Sequence, residues 1–199
     1  MPAWAENSVS DKHNPAANVA QRNSLWRSHR KNRKQKRSPN GAKLWGQNIM
    51  ATSLSSILVH LVFSTKHRAD LITPEIEPEL YPYLAKIFRE YKSPSLAING
   101  TANHLHILFA LARTISVSDL VEEVKSSSSG WIKSKGQEFN KFYWQTGYGA
   151  FSIGQSNVEA LKRYIANQKE HHRQKTFENE YRGLLRKYKV EYDEKYLWD

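Results

Sequence analysis

An α+β domain is what this sequence predicts, on three grounds. Composition changes abruptly at Met50, strand-like and helix-like patterns alternate after it, and capping residues or glycines stand where one pattern gives way to the next. With 199 residues, 39% hydrophobic and 12% aromatic, the chain can bury one ordinary core. Residues 1–49 are rich in Asn, Ser, Lys and Arg, carry the run from Arg30 to Arg37 and show no apolar period, so they predict a disordered basic extension. Residues 50–199 then form the domain, and Met50 itself is a candidate start of the native protein.

The elements follow in order. Leu54 to Ser64 is dense in β-branched and apolar residues, as a buried strand requires. Thr73-Pro74-Glu75 offers a cap and a first-turn proline for a helix whose apolar positions are Leu80, Leu84, Ile87, Phe88 and Tyr91, although Pro78 and Pro82 blur its start. Leu96 to Thr101 and His104 to Ala112 read as two tightly joined strands, the second alternating strongly enough to expose one polar face. Ser116 with Asp119 resembles a capping box for a second helix to about Lys135, bearing Leu120, Val121, Val124, Trp131 and Ile132. An aromatic strand-like stretch from Phe142 to Ile153 precedes Ser156-Asn157-Val158-Glu159, a capping box for a third helix to about Lys175. A last helical pattern spans Phe177 to Tyr188. This order predicts a ferredoxin-like antiparallel sheet with helices on one face.

Composition removes several kinds of chemistry. The chain has no cysteine, which excludes a disulfide framework, a thiolate zinc site and a cysteine nucleophile, and leaves His, carboxylates and amides as metal ligands. No apolar run is long enough to span a bilayer and no secretory signal opens the sequence, so a cytoplasmic protein is expected. The net charge of +11 suits a polyanion, but ten Lys/Arg against two acids lie in residues 1–49, and the domain is only mildly basic.

Two groups of residues could carry chemistry. His104 and His106 flank Leu105 on a strand, so both imidazoles share a face, about 7 Å apart along the chain, and could bind one metal ion; two surface histidines would read the same way. Tyr164 and Gln168 are four residues apart on one helix face, at the edge of a buried stripe of Val158, Leu161 and Ile165, with His171 and Lys175 continuing the line. A tyrosine packing at a helix border is the plainer alternative. His60, in an apolar strand, reads as a core histidine, and His171 and His172 as a solvated helix face. Trp131, Phe142, Tyr143, Trp144 and Tyr148, with Lys125, Lys133, Lys135 and Lys141, could stack and neutralise single-stranded nucleic acid, though most of these aromatics read as core.

Taken together, these motifs resemble a known family. Asn103-His104-Leu105-His106-Ile107-Leu108 is similar to the HUH motif, and Tyr164-Ile165-Ala166-Asn167-Gln168 resembles the nucleophile helix of the single-tyrosine transposases of the insertion sequence 200/605 family. Leu58 to Arg68 resembles that family's opening strand, and Trp144 to Tyr148 with Ser152 to Gly154 the segment before its tyrosine helix. The likeness covers about residues 54–199 and leaves residues 1–49 outside. Asn103 stands where many relatives place an Asp, and its carbonyl can still fix an imidazole.

The resemblance implies a DNA transposase that cleaves and rejoins single-stranded DNA at hairpin-marked element ends. Tyr164 would be the nucleophile, through a 5′-phosphotyrosine, and His104, His106 and Gln168 would hold Mg2+ or Mn2+. It also implies a homodimer in which Tyr164 of one chain completes the histidine site of the other. The alternatives are a domesticated HUH nuclease acting on repeated palindromes and a non-catalytic nucleic-acid-binding module. The segment before Met50 is expected to be dispensable for catalysis, acting at most as an electrostatic tether.

Overall fold

The computed structural model describes residues 54–198; the expected extension over residues 1–49 lies outside them. Four strands, β1 (Leu58–Ser64), β2 (Ser95–Gly100), β3 (His104–Ala110) and β4 (Gly149–Ile153), form one sheet in the order β2-β3-β1-β4 with every neighbouring pair antiparallel. Helix α1 (Glu77–Glu90) joins β1 to β2, and α2 (Val117–Lys133) joins β3 to β4. This is the ferredoxin-like arrangement expected from the element order, in which each helical crossover skips a strand. After β4 come α3 (Val158–Ala166), a one-turn α4 (Gln168–His171) and α5 (Phe177–Lys187). Among the described residues no helix is long and apolar enough to cross a membrane.

Strand alternation sorts the side chains into two layers. Val59, Leu61, Phe63, Leu105, Ile107 and Phe109 point to one face and pack on Leu80, Leu84 and Phe88 of α1 and Leu120, Val124 and Ile132 of α2. This is the helix layer expected on one face. The opposite face is covered too: Leu58 and Leu108 meet Val158 and Ile165 of α3, while Val62 and Phe151 meet Phe177, Tyr181 and Leu185 of α5. All seven residues of β1 are consequently buried, which is why its sequence runs nearly unbroken in apolar residues. The face of β3 expected to be exposed is not: His104 and His106 both lie at 0% exposure beneath the second layer.

Local signals hold unevenly. Ser116 accepts a hydrogen bond from the Asp119 backbone N–H at 3.1 Å, as expected for the start of α2. The box expected at Ser156–Glu159 does not form; a 3-10 turn over Gln155–Asn157 leads into α3 and Asn157 makes no side-chain cap. At α1, Thr73 supplies its backbone carbonyl to the N–H groups of Ile76 and Glu77, and the helix begins at Glu77. Only Gly149–Ile153 of the aromatic stretch is strand, with one isolated bridge between Thr65 and Trp144. The reason is Lys125, whose ammonium donates to the carbonyls of Gln145, Thr146 and Gly147 at 2.9, 3.2 and 2.7 Å and pins that segment as a loop.

The third helix stops at Asn167, short of the expected Lys175. Asn99, on β2, donates its side-chain amide to the carbonyls of Ile165 and Ala166, both at 2.9 Å. Those carbonyls would accept from residues 169 and 170 in a continuous helix. The sheet thus ends the helix, and Gln168 restarts it as a buried residue.

Candidate active site

The second layer encloses a polar centre. His104 and His106 rise from β3 with ring centroids 5.2 Å apart, and Leu105 between them is fully buried in the opposite core, as period-two alternation requires. The strand is held where the site needs it by Gly100. A Cβ there would lie 2.0 Å from the His104 carbonyl, so the β2–β3 hairpin closes this tightly only with glycine.

Each imidazole is oriented from behind. Nδ1 of His104 lies 2.7 Å from the Asn103 side-chain oxygen, which also accepts from the Thr101 hydroxyl at 3.1 Å. Asn103 in turn donates its amide to Asp70 at 3.0 Å, which fixes the amide's direction. An Asp70–Asn103–His104 chain therefore does what a carboxylate before the first His would do: it places the proton on Nδ1 and turns Nε2 inward. His106 is oriented by another histidine, its Nδ1 lying 3.0 Å from Nε2 of His60. His60 is thus more than a core residue: from β1, it sets the second imidazole.

Tyr164 and Gln168 both reach this centre. Tyr164 stands edge-on to His106, ring centroids 5.7 Å apart, and Gln168 is at 0% exposure. Residues expected at the site, namely His104, His106, Tyr164 and Gln168, are therefore brought together within one chain. The structure adds Glu180 and His172. Glu180 of α5 is 2% exposed; its Oε1 accepts from the Tyr164 hydroxyl and, at 3.2 Å, from the Gln168 amide. Its Oε2 lies 3.0 Å from Nε2 of His172, 3.2 Å from Nε2 of His106 and 3.8 Å from Nε2 of His104. His172 is accordingly not part of a solvated helix face; its side chain is 11% exposed and turned inward, while His171 is 33% exposed.

Glu180 was legible only as an oddity. It falls between Phe177 and Tyr181 on the apolar stripe of α5, where a charged residue is costly unless partnered. Nothing in the spacing from Tyr164 reveals that the two would meet.

Electrostatics follow from burial. Desolvation, with His106 nearby, lowers His60 to about 3, and desolvation with His106 and His172 lowers His104 to about 2, so both rings are neutral near neutral pH. Burial pushes the Glu180 carboxyl upward, but the imidazoles of His106 and His172 and the Tyr164 hydroxyl outweigh it and hold the group well below the usual carboxylate range. Tyr164 is raised above its ordinary value by burial and by the Glu180 charge. The shared proton therefore rests on the phenol.

Three buried atoms of the expected ligand residues have no hydrogen-bond partner, Nε2 of His104, Nε2 of His106 and Oε1 of Gln168, and Nε2 of His171 is a fourth such atom at this centre. Leaving a buried polar atom unsatisfied costs about 1–3 kcal/mol, and the first three are lone-pair donors suited to a divalent cation. His104, His106, His172 and Glu180 also offer ligand atoms that all lie within 4.8 Å of one another. The residues present fit a metal ion on the chemistry of this donor set.

Beside Tyr164, a cavity of about 590 Å3 opens between α3 and α5; Leu161, His171, Lys175, Glu180 and Lys187 line it. Of the aromatic candidates, Phe142 and Trp144 are core and Trp131 stacks on Tyr83 at 4.6 Å. Tyr143 and Tyr148 remain exposed, with the ammonium groups of Lys133 and Lys125 at 3.4 and 5.5 Å from their ring centroids.

None of the curated proteins matches the chain. Among solved structures, a chain from Deinococcus radiodurans R1 assigned as a transposase is 20% identical, with a TM-score of 0.47 over 59% of this chain and 94% of that one. A REP-associated tyrosine transposase bound to a REP hairpin is 15% identical, with a TM-score of 0.49 over 60% of this chain and 70% of that one. The family model described as "Transposase IS200 like" matches residues 53–168, which takes in β1, the His pair, Tyr164 and Gln168. With more than half of its length matched, the chain belongs to the IS200-like transposase family.

Proposed function

We propose that this transposase cuts and rejoins single-stranded DNA at hairpin-marked ends, with Tyr164 as the nucleophile and with His104, His106 and Gln168 holding Mg2+ or Mn2+. The observation that carries the reading is the set of three unpartnered, buried donor atoms beside a tyrosine whose hydroxyl is already held in place.

A phenol of ordinary pKa near 10 is a weak nucleophile at neutral pH, and Tyr164 is raised further, so its proton leaves only as the new bond forms. The Tyr164 oxygen bonds to phosphorus while the bond from phosphorus to the 3′ oxygen breaks. The phenolic proton is released, the departing 3′ oxygen takes up a proton, and the 5′ end stays on the tyrosine. Attack by a different 3′-OH reverses these changes and restores the phenol, so no external energy is needed. His104, His106 and Gln168 would hold the divalent ion, which would supply Lewis-acid polarisation of a phosphate oxygen at the scissile bond. Asn103 and His60 keep the two imidazoles pointed inward, and Lys175 and Lys187, on the cavity beside Tyr164, are placed to meet a strand's phosphates.

Replacing Tyr164 with Phe removes the nucleophilic oxygen alone. Cleavage of a hairpin substrate and the covalent protein–DNA adduct should disappear while hairpin binding stays within a few-fold. An adduct surviving on denaturing gels would move the nucleophile elsewhere, Tyr148 being the next residue to test. The shared-site homodimer is proposed from the family resemblance alone, and it requires Tyr164 to leave Glu180 of its own chain for the same centre of the partner chain. Mixing Tyr164→Phe chains with His106→Ala chains restores cleavage if the tyrosine is exchanged between subunits, and leaves it absent if each chain uses its own.

A further inference from the structure

His104, His106 and Gln168 are neutral ligands, so an ion held by them alone keeps its double charge inside a closed protein layer. Hard cations such as Mg2+ and Mn2+ favour anionic oxygen. One anionic oxygen is within reach. Glu180 is nearly inaccessible, and the groups packed on it are four imidazoles, a phenol and an amide. Burying a carboxylate without a firm counter-charge costs several kcal/mol, and of these groups Tyr164, Gln168 and His172 supply hydrogen bonds but no fixed positive charge.

The two oxygens of this carboxylate face different things. Oε1 is occupied by the Tyr164 hydroxyl and the Gln168 amide nitrogen, which leaves Oε1 of Gln168 free. Oε2 faces the unpartnered Nε2 atoms of His106 and His104 at 3.2 and 3.8 Å. Ligands at right angles on an ion with bonds of about 2.1 Å stand about 3 Å apart, so these separations need only a small closure around an ion.

We propose that Glu180 is a further protein ligand of the divalent ion through Oε2, while its Oε1 holds the Tyr164 hydroxyl, so that one carboxylate ties the ion to the nucleophile. This rests on the reading of His104 and His106 as metal ligands. His172, 3.0 Å from Oε2, acts behind it as the donor that orients the ligating oxygen. Both residues lie on the segment after residue 168, where the match to the family ends, so the end of α4 and helix α5 supply a part of the site that the matched segment lacks.

The test is Mn2+ affinity of the full chain by calorimetry, without DNA. Glu180→Gln keeps the shape and removes the charge, and should weaken Mn2+ binding at least about tenfold. His106→Ala should abolish it. If the unaltered chain binds Mn2+, His106→Ala does not, and Glu180→Gln binds as the unaltered chain does, the Glu180 assignment is wrong and the histidine site stands. If the unaltered chain takes up no Mn2+, both fall. Should Glu180→Gln fail to fold, anomalous scattering from Mn2+-soaked crystals of the unaltered chain decides. Oε2 within about 2.4 Å of the ion supports ligation, and a separation beyond about 3 Å overturns it.

Discussion

The two faces of the central strands are built from alternate residues of β1 and β3, and they do opposite work. One face presents Val59, Leu61, Phe63, Leu105, Ile107 and Phe109 to α1 and α2 and contains no polar side chain among these six. The other presents His60, Ser64, His104 and His106, all buried, under α3, α4 and α5. Apolar burial of about 25 cal/mol per Å2 stabilises the first face with no demand on geometry beyond packing. The second must satisfy every nitrogen and oxygen by direction as well as position, and it leaves atoms of His104, His106, Gln168 and His171 unsatisfied. The comparison teaches that the first face holds the fold and the second spends stability on a site.

Substitutions on the two faces should therefore fail in different ways. On the polar face, His106→Ala should reduce metal-dependent cleavage of a hairpin substrate to background. Gln168→Ala should cost less, about 10- to 100-fold, and recover partly as Mn2+ is raised, because a neutral amide contributes less than an imidazole. Unchanged activity of both variants in a chelator would remove the metal from the site. On the apolar face, Phe109→Ala should lower unfolding free energy by about 3–5 kcal/mol in urea titrations. Its folded fraction should still bind Mn2+ within about twofold, since distant sites act independently. A large change in affinity there would mean that the faces are coupled.

Acid should act on the polar face alone. His60 and His104 fall from 6.5 to about 3 and about 2 in the folded chain, so below pH 6.5 the unfolded state binds protons that the folded state refuses. Stability is full above pH 6.5 and declines as the pH falls, by about 2 kcal/mol for each ring at pH 5. Glu180, held low, keeps its contribution above pH 4.5 and loses it progressively below, so loss between pH 7 and pH 5 belongs to the imidazoles. Metal-free unfolding measured at the two pH values checks this, and flat stability would mean that the rings are charged or exposed. Mn2+ should raise stability at both pH values without cancelling the loss, because the protons responsible bind the unfolded chain while the folded His104 stays open to the ion.

The smallest expected effect concerns the seam between the layers. Asn99→Ala removes two hydrogen bonds to the end of α3 and should cost about 1–2 kcal/mol. If Asn99 ends the helix, Mn2+ affinity should also fall a few-fold as Gln168 loses its fixed position. An unchanged affinity would show that Gln168 is placed by Glu180 alone.

Much of this was written locally. The element order, the apolar residues of α1 and α2, the shared face of His104 and His106 and the nearness of Tyr164 to Gln168 all follow from periods of two and 3.6, which need only neighbouring residues. The break at Asn167, the inward turn of His172 and the coverage of the His face depend on contacts the period does not contain. A run such as Ser156–Glu159 that satisfies a capping rule can still go unused when a 3-10 turn sets the chain's entry to the helix.

By itself, then, the sequence determined which residues share a strand face or a helix face, and with the family likeness it singled out His104, His106, Tyr164 and Gln168. Only the tertiary structure decided what stands behind and across from them: His60 on His106 from 46 residues away, Asn99 on the end of α3 from 66, and Glu180 on the Tyr164 hydroxyl from a separate helix. The physical reason is range. Backbone geometry propagates periodicity only along one element, whereas a buried carboxylate or imidazole finds its partners through the packing of several elements at once.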